Sequence, residues 1–163
     1  MNSNVDIYSD EAIGAEHSLR YLHITARNVV GILNRIASLM RRRRYNMEEV
    51  SVSFDDQGKA HIIIAVDGRL HDVNHVIEQL KKLYDIYDVY DATHQHGELY
   101  HTVFVCVKSE EQLKLFPVMP DKLIEMDDGL HAIFVISLEE MPPLMQFLQE
   151  EKYPYWRRVI GLI

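Results

Sequence analysis

Between Leu19 and Met47 the sequence changes from the period of a strand to the period of a helix across a short loop. Residues 19–26 are largely apolar, which predicts a strand. After the loop at 27–31, apolar residues recur every three or four positions, which predicts a helix over 31–43. The predicted apolar face of this helix comprises Ile32, Leu33, Ile36, Ala37 and Met40. A strand that leads directly into an amphipathic helix favours a fold in which helices cover one face of a sheet.

The residues that follow complete a βαββαβ order. Strands are predicted at 48–54, 59–66 and 86–92, and a second helix is predicted at 72–84. The second helix has a narrow apolar stripe, and Asp72 is its candidate N-cap. One such unit forms a four-stranded antiparallel sheet with both helices on one face. Strand 60–66 is apolar at nearly every position, which indicates burial on both faces of the sheet or an intersubunit contact.

The second half of the chain repeats this pattern. Gly129 precedes an apolar segment at 130–136, much as Gly58 precedes the segment at 60–66. The remaining elements are predicted as strands at 101–108, 121–126 and 155–162 and helices at 110–115 and 141–150. The predicted fold class is therefore α+β, with two tandem ferredoxin-like βαββαβ units. The predicted domains are an N-terminal extension (1–18), a first unit (19–92), a linker (93–100) and a second, divergent unit (101–163).

Composition and charge exclude several classes of protein. The net charge of −8 argues against a nucleic-acid partner, because such binding depends on neutralising phosphates. No apolar run is long enough to span a membrane, and the N-terminus lacks the basic and apolar parts of a secretory signal. The single cysteine, Cys106, cannot form an intramolecular disulfide. We therefore expect a cytoplasmic protein.

The loop before the first helix is the candidate binding site. Gly31 stands where the strand turns into the helix, and the first helical turn presents N–H groups with the positive end of the helix dipole. Such a helix start can bind a small anion, for example a carboxylate. Asn28 can add a side-chain donor and acceptor. The alternative interpretation is a tight turn that binds nothing.

Two motifs on either side of the first helix carry a family resemblance. Asn28-x-x-Gly31 with Leu33-x-Arg35-Ile36, followed by Arg43-x-Tyr45-Asn46-Met47-Glu48, resembles the small regulatory subunit of acetohydroxyacid synthase (acetolactate synthase), an ACT-domain family. The resemblance covers residues 19–92 best. The chain departs from the family in three respects: Arg44 stands where the family usually has glycine, residues 1–18 form an extension, and the second unit has a shorter first helix.

The resemblance implies a regulatory protein that is not itself an enzyme. It implies that a free branched-chain amino acid, such as valine, binds at the interface of an ACT homodimer and controls the large catalytic subunit of the synthase. The implied effector-binding residues are Asn28, Val29, Val30, Gly31, Ile32, Leu33, Asn46 and Met47. The thiamine diphosphate, flavin and magnesium belong to the catalytic subunit, and no cofactor is expected on this chain. The second unit is expected to act in assembly or in contact with that subunit.

Several alternatives stay open. The basic cluster at 41–44 suits a solvated last helical turn, but Arg41 and Arg42 could also contact an acidic patch on a partner. This cluster is expected to lie at the end of the helix away from the effector. Catalytic motifs are absent from the sequence, so no catalytic residue is assigned.

The histidines also leave alternatives. A metal ion at His94, His96 and His101 is a weaker alternative to a polar linker, so no metal ligand is assigned. His61 and His131, at equivalent places in the two units, suggest a structural role inherited by duplication. The competing functional hypothesis is a stand-alone ACT protein that senses an amino acid or a metal ion and regulates a different enzyme or transcription.

Overall fold

The structure is a computed structural model that describes residues 18–95 and 99–161. The chain divides into two compact units, one ending at His94 and the other beginning at Gln95. The predicted extension lies outside the described residues except for Ser18, as do positions 96–98 of the predicted linker. Within the described residues, no helix has the length and apolar character needed to cross a membrane.

The first unit has the predicted βαββαβ order. Its elements are β1 (Leu19–Arg27), α1 (Ile32–Arg42), β2 (Glu49–Phe54), β3 (Lys59–Asp67), α2 (Val73–Lys81) and β4 (Ile86–Asp91). The strands form an antiparallel sheet in the order β2-β3-β1-β4. Six consecutive residues at the end of β3, from Ile62 to Asp67, are buried. Because successive side chains of a strand point to opposite faces, β3 is buried on both faces, as predicted.

The second unit repeats this order. Its elements are β5 (Leu99–Val107), α3 (Glu110–Leu113), β6 (Lys122–Met126), β7 (Gly129–Ser137), α4 (Met141–Glu150) and β8 (Tyr155–Gly161). The strands form an antiparallel sheet in the order β6-β7-β5-β8. Two sheets with the same strand order confirm the predicted fold class, α+β with two tandem βαββαβ units. The first helix of this unit, α3, is short, as the sequence indicated.

Phe116 packs where a longer α3 would continue. Its ring centroid lies 5.7 Å from that of Phe134, 4.9 Å from that of Phe147 and 5.1 Å from that of Tyr153. Each aromatic side chain buries a large apolar area, so this group adds the buried apolar surface that the four-residue helix α3 is too short to provide. The second unit therefore keeps its own core, although its first helix is reduced to one turn.

Helix α1 packs on its sheet with a face that differs from the predicted one. Its buried residues are Ile32, Ile36, Leu39 and Met40. Leu33 is 45% exposed, so its assignment to the apolar face was wrong, and Leu39 takes its place. Helical spacing alone does not separate these two residues, because position 39 lies about 20° from Ile32 and position 33 lies about 20° from Met40 around the helix axis. Packing against the sheet decides which of the two is buried.

The two helices of the first unit begin differently. The side chain of Asp72 caps α2, as predicted, and accepts a hydrogen bond from the Asn74 N–H at 3.0 Å. Helix α1 begins at Gly31 without a capping side chain among the described residues, and no acidic residue lies in its first turn. Over the described ranges of the chain, the positive N-terminal end of α1 therefore lacks a carboxylate such as that of Asp72, which caps the N-terminus of α2.

Candidate functional site

The loop between β1 and α1 is a tight turn that requires glycine. The Val29 N–H donates to the Arg27 carbonyl at 3.0 Å, and the Ile32 N–H donates to the Val29 carbonyl at 3.2 Å. Gly31 has φ 87° and ψ 4°, a left-handed conformation that is unfavourable for residues with a Cβ. A Cβ at this position would meet no heavy atom of the described residues within 4 Å. Glycine is therefore needed for the turn itself, and the space in front of it is open.

A groove of about 410 Å³ runs from this loop along the exposed side of α1. It is lined by Val30, Gly31, Asn34, Arg35, Ser38, Arg42 and Leu83. Asn34, Ser38 and Arg42 are four positions apart, and Arg35 is three positions before Ser38, so they form one continuous face. Four lining residues were not predicted as site residues: Asn34, Ser38, Arg35 and Leu83. The spacing of the polar residues from Gly31 onward is the signal that could have identified the first two.

The charges in the groove differ at its two ends. The Arg35 guanidinium forms an ion pair with the Asp85 carboxylate, which is 6% exposed. The Asp85 carbonyl also accepts a hydrogen bond from the Arg27 N–H at 2.8 Å, so this residue joins the segment before β4 to both β1 and α1. Arg35 is thus neutralised locally and held in place. The exposed guanidinium of Arg42 supplies positive charge at the far end of the same groove.

Arg42 lies in the last turn of α1, at the opposite end of the helix from Gly31, as expected, although both residues line the same groove. The neighbouring Arg43 instead donates to the Gln79 side chain at 2.9 Å and links α1 to α2. Arg41 is exposed at the end of α1. The four arginines therefore occupy different environments, and only part of the cluster is available to a partner.

The predicted site residues fall into three groups within this chain. Val30 and Gly31 line the groove, and Asn28 and Leu33 are exposed beside it. Ile32 is buried, while Val29 and Met47 are half-buried and pack against the core of the first unit. Asn46 is exposed, and its side-chain amide donates to the Glu48 carboxylate at 2.6 Å. Asn46 and Met47 are not among the residues that line the groove of their own chain.

Arg44 adopts a left-handed backbone conformation, which glycine adopts readily, and the family usually has glycine at this position. Its φ is 58°, in the left-handed region. Its N–H donates to the Arg41 carbonyl at 3.1 Å, and the Tyr45 N–H donates to the Met40 carbonyl at 2.9 Å. These two bonds form a Schellman motif, which ends α1. Tyr45 packs against the core directly after it, so the motif directs the chain toward β2.

The histidines considered as metal ligands have different environments. His94 is exposed, His101 is fully buried and His96 lies outside the described residues. His61 and His131 each contact an aspartate in the turn of their hairpin, Asp55 at 3.0 Å and Asp128 at 2.8 Å. The equivalent roles expected for these two histidines are therefore visible in the structure.

Comparison with known proteins identifies the first unit. Residues 22–88 match the family model of the AHAS small subunit-like ACT domain, where AHAS is acetohydroxyacid synthase. The structure is similar to the acetolactate synthase small subunit from Thermotoga maritima, with a TM-score of 0.65, 16% sequence identity and coverage of 88% of this chain and 96% of that chain. A protein from Bacteroides thetaiotaomicron matches with a TM-score of 0.42, 13% identity and coverage of 87% of this chain and 91% of that chain.

A comparison with curated protein sequences gives no significant match. The family model spans both motifs on which the resemblance was based, the Asn28 loop and the Tyr45 segment. The structural similarity, at this low sequence identity, adds agreement in fold over both units. The resemblance inferred from the sequence is confirmed: residues 22–88 form an ACT domain of the acetohydroxyacid synthase small-subunit-like family.

Proposed function

We propose that this chain is a non-catalytic regulatory subunit that binds a branched-chain amino acid in its first unit and controls the catalytic subunit of acetohydroxyacid synthase. The observation that carries the proposal is the start of α1, which has no capping side chain within residues 18–95 and 99–161 and opens into a groove within an ACT domain of this family. The solved relative is itself described as an acetolactate synthase small subunit. In such a pair of proteins, catalysis and its cofactors belong to the large subunit.

The effector's carboxylate takes the place of a capping side chain at α1. The Gly31 N–H and the first helical turn offer donors and positive dipole potential. The Ile32 N–H already donates to the Val29 carbonyl, so we assign the carboxylate to its neighbours. The ammonium group is bound by the Asn28 side-chain oxygen and nearby carbonyls.

The effector's apolar side chain lies against Val30, Leu33 and Leu83, which are the apolar groups on this surface. Val30 is fully exposed and Leu33 is 45% exposed in the single chain. A second copy of the chain would cover these residues and contribute Asn46 and Met47, which its own groove does not use. The proposal is therefore a site completed by homodimerisation, with valine, leucine or isoleucine as ligand.

Binding is tested by calorimetric titration and thermal unfolding of the full chain with valine, leucine and isoleucine. A ligand at a hundred times its Kd stabilises the protein by about 2.7 kcal/mol, because it binds only the folded state. Arginine and glutamate serve as controls, since the apolar end of the site offers their charges no partner. No saturable response to any branched-chain amino acid, in a sample shown to be dimeric, would contradict the proposal.

The position of the carboxylate is tested at Gly31. Gly31→Asp and Gly31→Asn introduce side chains of similar size and similar backbone strain, and a Cβ at this position would meet no heavy atom of the described residues within 4 Å. They differ in charge, so only the aspartate repels a ligand carboxylate. We expect Gly31→Asp to lose the response to amino acids and Gly31→Asn to retain a weakened response. Equal loss in both variants would place the carboxylate elsewhere.

Control of the catalytic subunit is tested separately by co-purification of the two proteins. The stand-alone sensor remains the second candidate, because Arg44 occupies the left-handed position where the family usually has glycine. A complex with the large subunit whose activity changes with valine supports the proposed function. Amino-acid binding without any such complex would favour the stand-alone sensor.

A further inference from the structure

A cysteine, a histidine and an aspartate meet at one end of the second sheet. Cys106 on β5 lies directly opposite His131 on β7. Asp128 belongs to the turn that leads into β7, and its carboxylate contacts the His131 ring nitrogen at 2.8 Å. One ligand atom from each of the three residues lies within 4.8 Å of the other two. Among the described residues, this is the group of three or more such side chains that could hold a metal ion.

The backbone of the turn is shaped to bring Asp128 close to the thiol. Gly129 has φ +140°, and a Cβ there would lie 3.1 Å from the Val107 carbonyl oxygen and 3.4 Å from the Cys106 sulfur. A side chain at this position would push the turn away from β5. With glycine, the Asp128 carbonyl oxygen lies 4.0 Å from the Cys106 sulfur. The close approach of the turn to β5 therefore brings the three residues together.

We propose that Cys106, Asp128 and His131 bind a zinc-class divalent ion. Thiolate, imidazole and carboxylate are the three ligand types that Zn²⁺ takes in proteins. Bonds of about 2.3 Å to sulfur and about 2.0–2.2 Å to nitrogen and oxygen bring tetrahedral ligand atoms within about 3.3–3.6 Å of each other. The ligand atoms now lie within 4.8 Å of one another, so side-chain rotations that move them by about an ångström reach this geometry. The Asp128 side chain is 69% exposed, so a fourth position is open to water or to a ligand from another molecule.

The first unit also has a histidine paired with an aspartate of its hairpin turn, but without a thiol opposite the histidine. His61 contacts Asp55 at 3.0 Å there, but the residue opposite His61 on β1 is Thr25. The His61 ring also contacts the His23 ring nitrogen at 3.1 Å. The His–Asp pair is thus common to both units, whereas a cysteine opposite the histidine exists only in the second. Cys106→Thr consequently gives the second hairpin the same three residue types as the first, and it is the natural test variant.

The test is titration of the reduced full chain with Co²⁺, followed by competition with Zn²⁺. We expect one ion per chain, with the near-ultraviolet charge-transfer band of a cobalt thiolate that Zn²⁺ abolishes. Cys106→Thr should lose the band and bind Zn²⁺ at least about tenfold more weakly. His131→Gln should weaken binding similarly without removing the thiol. Unchanged thermal unfolding of the metal-free variants shows that the hairpin is intact.

The double variant His94→Gln/His96→Gln is the control for the other histidine pair. It should bind Co²⁺ and Zn²⁺ like the natural chain, because neither residue belongs to the hairpin. The proposal is overturned by failure of the natural chain to bind Zn²⁺, or by an unchanged band in Cys106→Thr. Loss of binding in the His94/His96 variant would likewise assign the ion elsewhere.

Discussion

Replacing Arg44 with glycine should stabilise the first unit. Arg44 holds φ at 58° in the Schellman motif that ends α1. A left-handed conformation costs a residue with a Cβ roughly 1–2 kcal/mol, while glycine costs about 0.5–1 kcal/mol through its greater freedom in the unfolded chain. The difference predicts a gain of about 0.5–1 kcal/mol in the free energy of unfolding. For a unit of this size, that is a rise in Tm of about 3–6 °C.

Two matched variants separate backbone strain from charge. Arg44→Ala removes the guanidinium from the basic cluster but keeps the Cβ, so its stability should change by less than about 0.5 kcal/mol. Lys152→Gly repeats the experiment in the second unit, where Lys152 has φ 56° in the same motif at the end of α4. Both glycine variants should gain stability, and the alanine variant should not.

The assay is urea unfolding of each variant, with thermal unfolding as a second measurement. Amino-acid affinity in Arg44→Gly should stay within about threefold of the natural chain, a difference of under about 0.7 kcal/mol, because Arg44 does not line the groove. If Arg44→Gly unfolded at the same or a lower urea concentration, the reasoning from left-handed strain would be refuted. If Arg44→Ala gained as much as Arg44→Gly, relief of charge repulsion would explain the result instead.

Three further outcomes follow from the same structure. Leu80→Ala removes a fully buried side chain and should cost about 2–5 kcal/mol in urea unfolding; a loss below about 1 kcal/mol would mean that the core collapses around the cavity. Hydrogen bonds from Arg69 lower the pKa of Asp67 from 3.8 to about 2. Because the native pKa is depressed, Asp67 stabilises the fold above pH 3.8, and this contribution is lost as the pH falls toward 2. Asp67→Asn should therefore flatten the pH dependence of unfolding in that window, and an unchanged slope would refute the assignment. Charge reversal at Arg41 and Arg42 should weaken pull-down of the catalytic subunit, most at low salt; a salt-independent result would remove them from that contact.

The fold was predictable because its elements have strong local signals. Apolar strand segments and a glycine in each hairpin define the βαββαβ order in both halves, and the Asp72 cap marks the second helix of the first unit. The main error concerned α1, where Leu33 and Leu39 both fit an apolar spacing. Only packing against the sheet decides between two neighbouring faces of the same helix, and that contact is not local in sequence.

The candidate site was predictable only in part. The Gly31 turn and the open helix start follow from local sequence, and the family pattern identified them. Leu83 joins the groove through the packing of α1 against the region after α2, which no local pattern describes. The Cys106–His131 pair depends on the register between β5 and β7, because a shift of one residue would place the two side chains on opposite faces.

The difference between the two helix starts of the first unit also predicts how fast their amides exchange with solvent. The Asn74 N–H donates to Asp72, whereas the start of α1 has no capping side chain in the part of the chain that the structure describes. Hydrogen exchange should therefore be faster at the start of α1 than at the start of α2. A bound carboxylate would slow exchange at α1 alone. In that case the effector acts as the N-cap of α1, and the hydrogen bonds of the first turn are complete only when the ligand is present.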